Sequence, residues 1–486
     1  MSDELTFASA LQIAEHIKNG DISSVEITQH YIDRIEAHDS KVNAVVVRTF
    51  DAALAAAAEA DRAQAAGESL GPLHGVPMTI KESYVLQNTP ATWGLPSHKD
   101  NISSTDGLSV ARFKAAGAHF LGKTNVPVDL ADFQSYNDIY GTTNNPWNLD
   151  HVPGGSSGGS GAALAAGFSA LEAGSDIGGS IRTPAHFNGV FGHKPTWGVI
   201  PQSGHELMPG VPDSDLSVCG PLARDAGDLH VALDVMAGPT TREAVGWQLA
   251  LPEADCTDLR GLRVALWPTQ DIAPVSQETQ ARVNKVGEVL SGLGAQVSDT
   301  ARPNFDPTKA HVTYQNLLQA VMSSAQPNER VPEMKAIAES TDPGDQSTPA
   351  INARAAVMLH REWIRHNFRR EKLREAWDEF FSEWDILIAP QFTVPAIKHD
   401  HRPFHERTIN VDGDERPYFE PLFWAGMVIA SYLPSTVFPT GPSETGLPIG
   451  IQAISGPYRD HRTIEFARLV SQEIGGFQAP SGFSNN

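Results

Sequence analysis

Two turns rich in glycine and serine, and one lysine upstream of them, carry the residue types that can do chemistry together. The first turn is Gly154-Gly155-Ser156-Ser157-Gly158-Gly159-Ser160 and the second is Gly174-Ser175-Asp176-Ile177-Gly178-Gly179-Ser180-Ile181-Arg182. Ser156 and Ser180 are 24 residues apart, and Lys81 precedes Ser156 by 75. A serine hydroxyl is a poor nucleophile at neutral pH and needs a base. A lysine can be that base only as the neutral amine, which removal from water favours. The flanking Val76, Met78 and Ile80 are the expected apolar frame. Consecutive glycines ahead of Ser180, with Ile177 and Ile181 beside them, suit a buried nest of backbone N–H donors. Large side chains there would block an approaching carbonyl.

Three other patterns compete. Residues 117–124 fit the P-loop formula, with Gly117, Gly122, Lys123 and Thr124 in place. A P-loop follows a strand and opens a helix at its lysine. Here a helical pattern precedes, His119-Phe120-Leu121 reads as a strand, and Pro127 follows, so a helix-to-strand turn is the expectation. Gly154-Gly155-Ser156-Ser157-Gly158 fits the nucleophile elbow of Gly-x-Ser-x-Gly hydrolases. The residues before it contain Pro146 and Pro153 and no strand run. His399-Asp400-His401, with His405 and Glu406 nearby, could hold a metal, but a run rich in Arg, Pro, His and Asp reads as a solvated turn. No metal site is expected.

The set of blocks resembles the amidase signature family. The matching stretches are residues 75–81, 122–127, 140–147, 153–160, 174–182 and 192–196, with weaker matches near Pro390 and over 446–452. The resemblance covers nearly the whole chain and implies an α/β fold. That fold is a single large amidase-signature domain, with a twisted mixed β-sheet packed between α-helices. It implies Ser180 as the nucleophile, Lys81 as the base, and Ser156, preceded by a cis peptide bond at Gly155, as the bridge between them. The N–H groups of Ile177, Gly178, Gly179 and Ser180 would form the oxyanion hole. Leu130 falls where an apolar substrate contact is expected, and Asp176 and Arg182 flank the nucleophile turn as a structural ion pair. No metal or organic cofactor is implied.

These residues need elements to position them. Ser23-Ser24-Val25-Glu26 is a capping-box pattern opening a helix, and residues 51–66 are Ala-rich and helical. Short strands are expected over 42–47 and up to Lys81, with a small-residue helix over 162–168 after the first turn and residues 171–176 leading into the second. Strand and helix signals alternate through about residue 270, which argues for an α/β layer architecture. The stretch 300–420 differs: loop-like parts at 340–349 and 398–417 surround one long helical pattern over 350–381. Core-like strands return at 385–388 and 448–451. The chain therefore reads as one domain, 1–486, with its core in about 10–300 and 384–475 and a variable substrate layer in about 300–420. Trp363, Phe368, Phe380, Phe381, Phe423 and Trp424 in or near that layer are either core or an aryl-binding surface, and core is preferred.

The chain has 486 residues with 36 Lys and Arg against 58 Asp and Glu, a net charge of −22. Such a surface repels nucleic acid and anionic lipid, so neither is an expected partner. No run is long and apolar enough to suggest a membrane span. Cys219 and Cys256 fit no disulfide framework or metal spacing, and two thiols with no leader-like N-terminus suit the cytoplasm. The expected partner is a small-molecule amide, anilide, carbamate or lactam-type oligomer. A homodimer is left open. Two alternatives stay open as well: the glutaminase subunit of a tRNA-dependent amidotransferase, and a non-catalytic binding protein on the same fold.

Overall fold

Eight strands build the central sheet. From one edge they run Gln296–Ser298, Arg263–Leu266, Ile386–Pro390, Pro448–Ile454, Ser435–Pro442, Phe191–Lys194, Val218–Ala223 and Leu171–Asp176. The first three are parallel to one another and every later pair is antiparallel. The sheet is thus mixed, as expected, and it interleaves strands from both ends of the chain. All six residues of Leu171–Asp176 and all five of Ile386–Pro390 are buried; the latter is a continuous apolar run, while the former buries two acids, Glu172 and Asp176, against Thr79 and Arg182. A computed structural model of the chain, describing residues 3–68, 71–208, 210–324 and 326–484, provides these observations.

A second, three-stranded sheet orders Val45–Arg48, His119–Thr124 and Pro77–Lys81. It docks beside the Leu171–Asp176 edge. The Thr79 N–H donates to Ser169 Oγ at 2.8 Å, and the Thr79 hydroxyl donates to Glu172 Oε1 at 2.6 Å. These two bonds fix the register that brings Lys81 to the end of the main sheet. Helices Ala226–Met236, Gln277–Gly292 and Asp460–Ile474 pack together on the main sheet, while Gly158–Ala165 and Arg182–Asn188 form a pair beside the two serine turns.

Local chemistry explains the element boundaries. Ser23 and Glu26 form the expected reciprocal capping box of helix Ser24–Val42. That helix runs to Val42, so the strand expected over 42–47 is instead Val45–Arg48; Asn43, left-handed at φ 57°, makes the turn between them. The long helical pattern of 350–381 is two helices, Thr348–Ala355 and His360–Glu383. The break falls in Ala356-Val357-Met358-Leu359, which has no glycine or proline to announce it; Leu359 is extended, with ψ 145°. With Pro307–Ser324 and Val331–Ser340 these helices make up the layer between the core segments. The loop-like stretch 398–417 also holds a hairpin, Thr408–Val411 with Asp414–Pro417. Among the described residues no helix is long and apolar enough to cross a membrane.

Candidate active site

Strand alternation sets the direction of Lys81. Thr79 and Lys81 share one face of their strand, and Met78 and Ile80 share the other. Met78 and Ile80 point into the main hydrophobic core, so they are not the frame around the amine. Lys81 faces the Leu171–Asp176 strand, where its Nζ donates to Ser156 Oγ at 2.6 Å and Ser175 Oγ at 2.8 Å. The side chain is 0% exposed, and among the described residues no carboxylate pairs with it. Burial lowers its pKa from 10.5 to about 7, against a weaker opposing pull from Cys219, Asp176, Glu172 and Glu82. Burial also pushes the Glu172 carboxyl up to about 8. A mostly protonated Glu172 does little to restore the ammonium. The amine is desolvated by the sheet edge and its serines rather than by the neighbours in sequence.

The first serine turn fits against residues 132–135. A Cβ on Gly155 would stand 2.2 Å from the carbonyl oxygen of Asp132, which is why only glycine fits there. The Gly155–Ser156 peptide bond is cis. The next residue ties the two turns together, since the Ser157 N–H donates to the Ser180 carbonyl at 3.1 Å. Ser180 is 8% exposed and its hydroxyl has no protein hydrogen bond among the described residues.

Asp176 and Arg182 shape the second turn. The guanidinium meets the carboxylate with two bonds, Nε to Oδ2 at 3.0 Å and Nη2 to Oδ1 at 3.1 Å, and both side chains are fully buried. Burial alone would raise the Asp176 carboxyl, but Arg182 and the Gly179 N–H outweigh it and hold it below the usual carboxylate range. Asp176 also accepts from the N–H of Gly179 at 2.7 Å and of Ile181 at 3.1 Å. Gly179 has φ +103°, a conformation that favours glycine. Its N–H is committed to Asp176, so of the four expected donors it differs from the rest. The N–H groups of Ile177, Gly178 and Ser180 have no protein partner among the described residues. The Tyr314 hydroxyl donates to the Ile177 carbonyl at 3.0 Å. That carbonyl and the Gly178 N–H belong to one planar trans peptide, so Tyr314 fixes the direction of the Gly178 donor.

Ile177, Gly178 and Ser180 open on a cavity of about 490 Å³. Leu130, Phe133, Phe419 and Leu422 line it on the core side, and Leu318, Met322, Met334 and Ile337 line it from the helical layer. Leu130 is left-handed at φ 55°, as is its neighbour Asp129 at φ 54°. The six aromatic residues singled out in the sequence lie elsewhere, while Phe404 and Phe419 of the same stretch line the cavity. Phe380, Phe423 and Trp424 are buried in a cluster with Trp377, Phe381 and Trp363 pack on core clusters, and Phe368 is 66% exposed.

The competing motifs resolve differently. Lys123 lies within strand His119–Thr124, fully buried, and bonds to the Pro90 carbonyl, which leaves no phosphate loop. Ser156 is not preceded by a strand, so the turn is not an elbow. His401 stacks on Tyr136 with ring centroids 3.8 Å apart, and Asp400 pairs with Arg402. Ser175 and Tyr314 are two further polar residues of this site to which the sequence alone assigns no role. Ser175 was detectable in part, since a strand ending at Asp176 aims alternate side chains to one side. Tyr314 lies 134 residues beyond Ser180 in a helix of unremarkable composition, and nothing local marks it.

Comparison with known proteins adds independent findings. The family model described as Amidase matches residues 26–464. Fatty-acid amide hydrolase 2-B of Danio rerio is 33% identical over 505 aligned residues, covering 99% of this chain and 92% of that protein. Indoleacetamide hydrolase of Bradyrhizobium diazoefficiens is 32% identical, covering 96% of this chain and 86% of that protein. Subunits A of glutamyl-tRNA(Gln) amidotransferases are similar at lower identity. Among solved structures, a bacterial aryl acylamidase of the amidase signature enzymes superposes with a TM-score of 0.80 at 25% identity, covering 96% of each chain.

Proposed function

This chain belongs to the amidase family, whose members act on carbon–nitrogen bonds, and from that premise we propose that it hydrolyses amides through an acyl-enzyme on Ser180. The observation that carries the reading is the buried, carboxylate-free Lys81 amine at 2.6 Å from Ser156 Oγ, beside a serine that opens on a cavity. Neutral Lys81 takes a proton from Ser156, and Ser156 takes one from Ser180 as Ser180 Oγ attacks the amide carbonyl. The Ser180 and Ser156 hydroxyls draw into hydrogen-bond contact as substrate binds, since catalytic hydrogen bonds often tighten only in the complex. The tetrahedral oxyanion lies among the N–H groups of Ile177, Gly178 and Ser180, each donor being worth about 10²–10³ in rate. On collapse the C–N bond breaks, and the proton held by Lys81 passes through Ser156 to the departing amine. Water then enters by the reverse path and releases the acid.

The lining of the cavity supports a substrate class. Leu130, Phe133, Met322, Phe419 and Leu422 offer an apolar wall next to Ser180, so an amide or anilide with an apolar acyl or aryl group fits best. The acidic surface argues against tRNA as a partner, and a cytoplasmic small-molecule hydrolase remains the reading. The deciding experiment is hydrolysis of a p-nitroanilide, an aryl carbamate, a primary amide and glutamine by wild type and Ser180→Ala. Cleavage of the apolar amides, lost in the variant, supports the reading. Turnover of glutamine alone would replace it with the amidotransferase subunit.

A further inference from the structure

Well away from the cavity, three parts of the chain bring metal-binding atoms together. One donor atom from each of His230, Glu253 and His461 lies within 4.8 Å of the other two. His230 is on helix Ala226–Met236, Glu253 on the irregular segment after the short 3-10 turn Glu243–Val245, and His461 in the first turn of helix Asp460–Ile474. Asp234, one helical turn beyond His230, faces the same point. Its Oδ2 is 3.5 Å from His230 Nε2 and its Oδ1 is 2.9 Å from His461 Nε2. The two imidazole rings stack at 4.3 Å and 16°, so both Nε2 atoms are directed at one carboxylate.

The other nitrogen of His461 is also spoken for. Nδ1 lies 3.2 Å from the Pro252 carbonyl oxygen. A carbonyl only accepts, so Nδ1 carries the hydrogen and donates it. That leaves Nε2 to face a carboxylate, an arrangement that needs a cation, proton or metal, between them. A backbone carbonyl fixing the tautomer of a histidine is the usual support of a metal ligand. Here the supporting carbonyl and Glu253 are adjacent in one segment.

We propose that His230, Glu253 and His461, with Asp234, bind one divalent transition-metal ion of the zinc class. Two imidazoles with carboxylates suit zinc, cobalt, nickel or copper rather than magnesium or calcium. Zinc–nitrogen bonds of about 2.0–2.1 Å require the donors to close further. Exposed Glu253 and half-buried His230 can move to do so, while His461 is held in place. A surface hollow of about 470 Å³ lined by Asp234, Glu253 and His461 admits the ion. None of the four residues lines the Ser180 cavity, so the ion would pin the 249–253 segment to the two helices and take no part in amide cleavage.

The test uses the full chain without an affinity tag, stripped with chelator. Titration with Zn²⁺ by calorimetry, and with Co²⁺ by absorbance, is expected to give one equivalent per chain and an imidazole-type cobalt spectrum. His230→Ala and Glu253→Ala, both at accessible positions, are expected to weaken binding at least ~10-fold, with amide turnover unchanged. Zn²⁺ should raise Tm in wild type and leave the double variant unmoved. Binding well below one equivalent, or equal affinity in wild type and both variants, would overturn the proposal.

Discussion

Ser157 donates its backbone N–H to the carbonyl of Ser180 over 3.1 Å. The turn that carries the bridging hydroxyl and the turn that carries the nucleophile are therefore held by main chain, not by the reacting side chains. Either reacting group can be removed without unfastening the site. Ser180→Ala is expected to keep the fold and Tm of wild type, lose labelling by a fluorophosphonate, and lower kcat by ~10⁴ or more. Clear residual turnover would mean another nucleophile.

Lys81 links activity to pH. Its pKa is lowered to about 7 by burial, and the neutral form is the base. The rate constant kcat should therefore fall as pH drops through about 7 and level off above it. The sign for stability follows from the same shift. The unfolded chain holds this proton up to a higher pH than the folded chain, so the contribution to stability is complete only in alkali and is lost as pH falls. Lys81→Met should abolish amide hydrolysis while raising Tm near neutral pH by ~2–4 °C, with the gain shrinking toward alkaline pH. Scanning calorimetry across pH, beside a kcat profile, checks both halves.

Tyr314 acts through a peptide plane. Removing its hydroxyl frees the Ile177 carbonyl and lets the Gly178 N–H turn. Tyr314→Phe should lower kcat by ~10-fold, a fraction of the loss for deleting an oxyanion donor, with KM for a small amide nearly unchanged. Steady-state kinetics separates this from a packing defect, which would move Tm as well.

Both side chains of the Asp176–Arg182 pair are fully buried. Asp176→Asn leaves an uncompensated guanidinium and is expected to cost ~3–5 kcal/mol of stability. The amide keeps one accepting oxygen where the carboxylate has two, so either the Gly179 or the Ile181 N–H loses its acceptor, and kcat should fall as the turn loosens. Urea unfolding and turnover measured on the same samples test whether the two losses travel together.

Leu130 borders the cavity beside Ser180. Leu130→Ala should raise KM for amides with a bulky apolar acyl group by ~10-fold or more and leave acetamide-sized substrates little changed. Equal effects on both would place the substrate on another wall.

How much could be read beforehand follows the range of the interactions. The glycine spacing of the two turns, the short strand ending at Lys81 and the capping box at Ser23 are set by contacts a few residues long, and they are legible in the sequence. The environment of Lys81 departs from the sequence expectation in one respect. Burial was expected from Val76, Met78 and Ile80, but alternation turns Met78 and Ile80 away, and the facing surface comes from Ser156 and Ser175, distant in sequence. The apolar run Ala356-Val357-Met358-Leu359 continued a helical pattern that the structure breaks. The residues that line the cavity from Pro307–Ser324 and Val331–Ser340 had no local signature, because only the way those helices pack decides which side chains face Ser180.

The parallel pairing of Arg263–Leu266 with Ile386–Pro390 has a bearing on how such a protein can diversify. Between them the chain adds the edge strand Gln296–Ser298, and from there a run of helices over 307–383 carries it back to Ile386–Pro390, so that helical excursion begins and ends on strands of one rigid frame. Insertions, deletions or exchange of its helices leave the loop-closure cost nearly constant and disturb no strand pairing. The wall that meets the substrate can be redrawn by recombination while the frame holding Lys81, Ser156 and Ser180 is inherited intact. For an engineer, that stretch is the natural unit to graft.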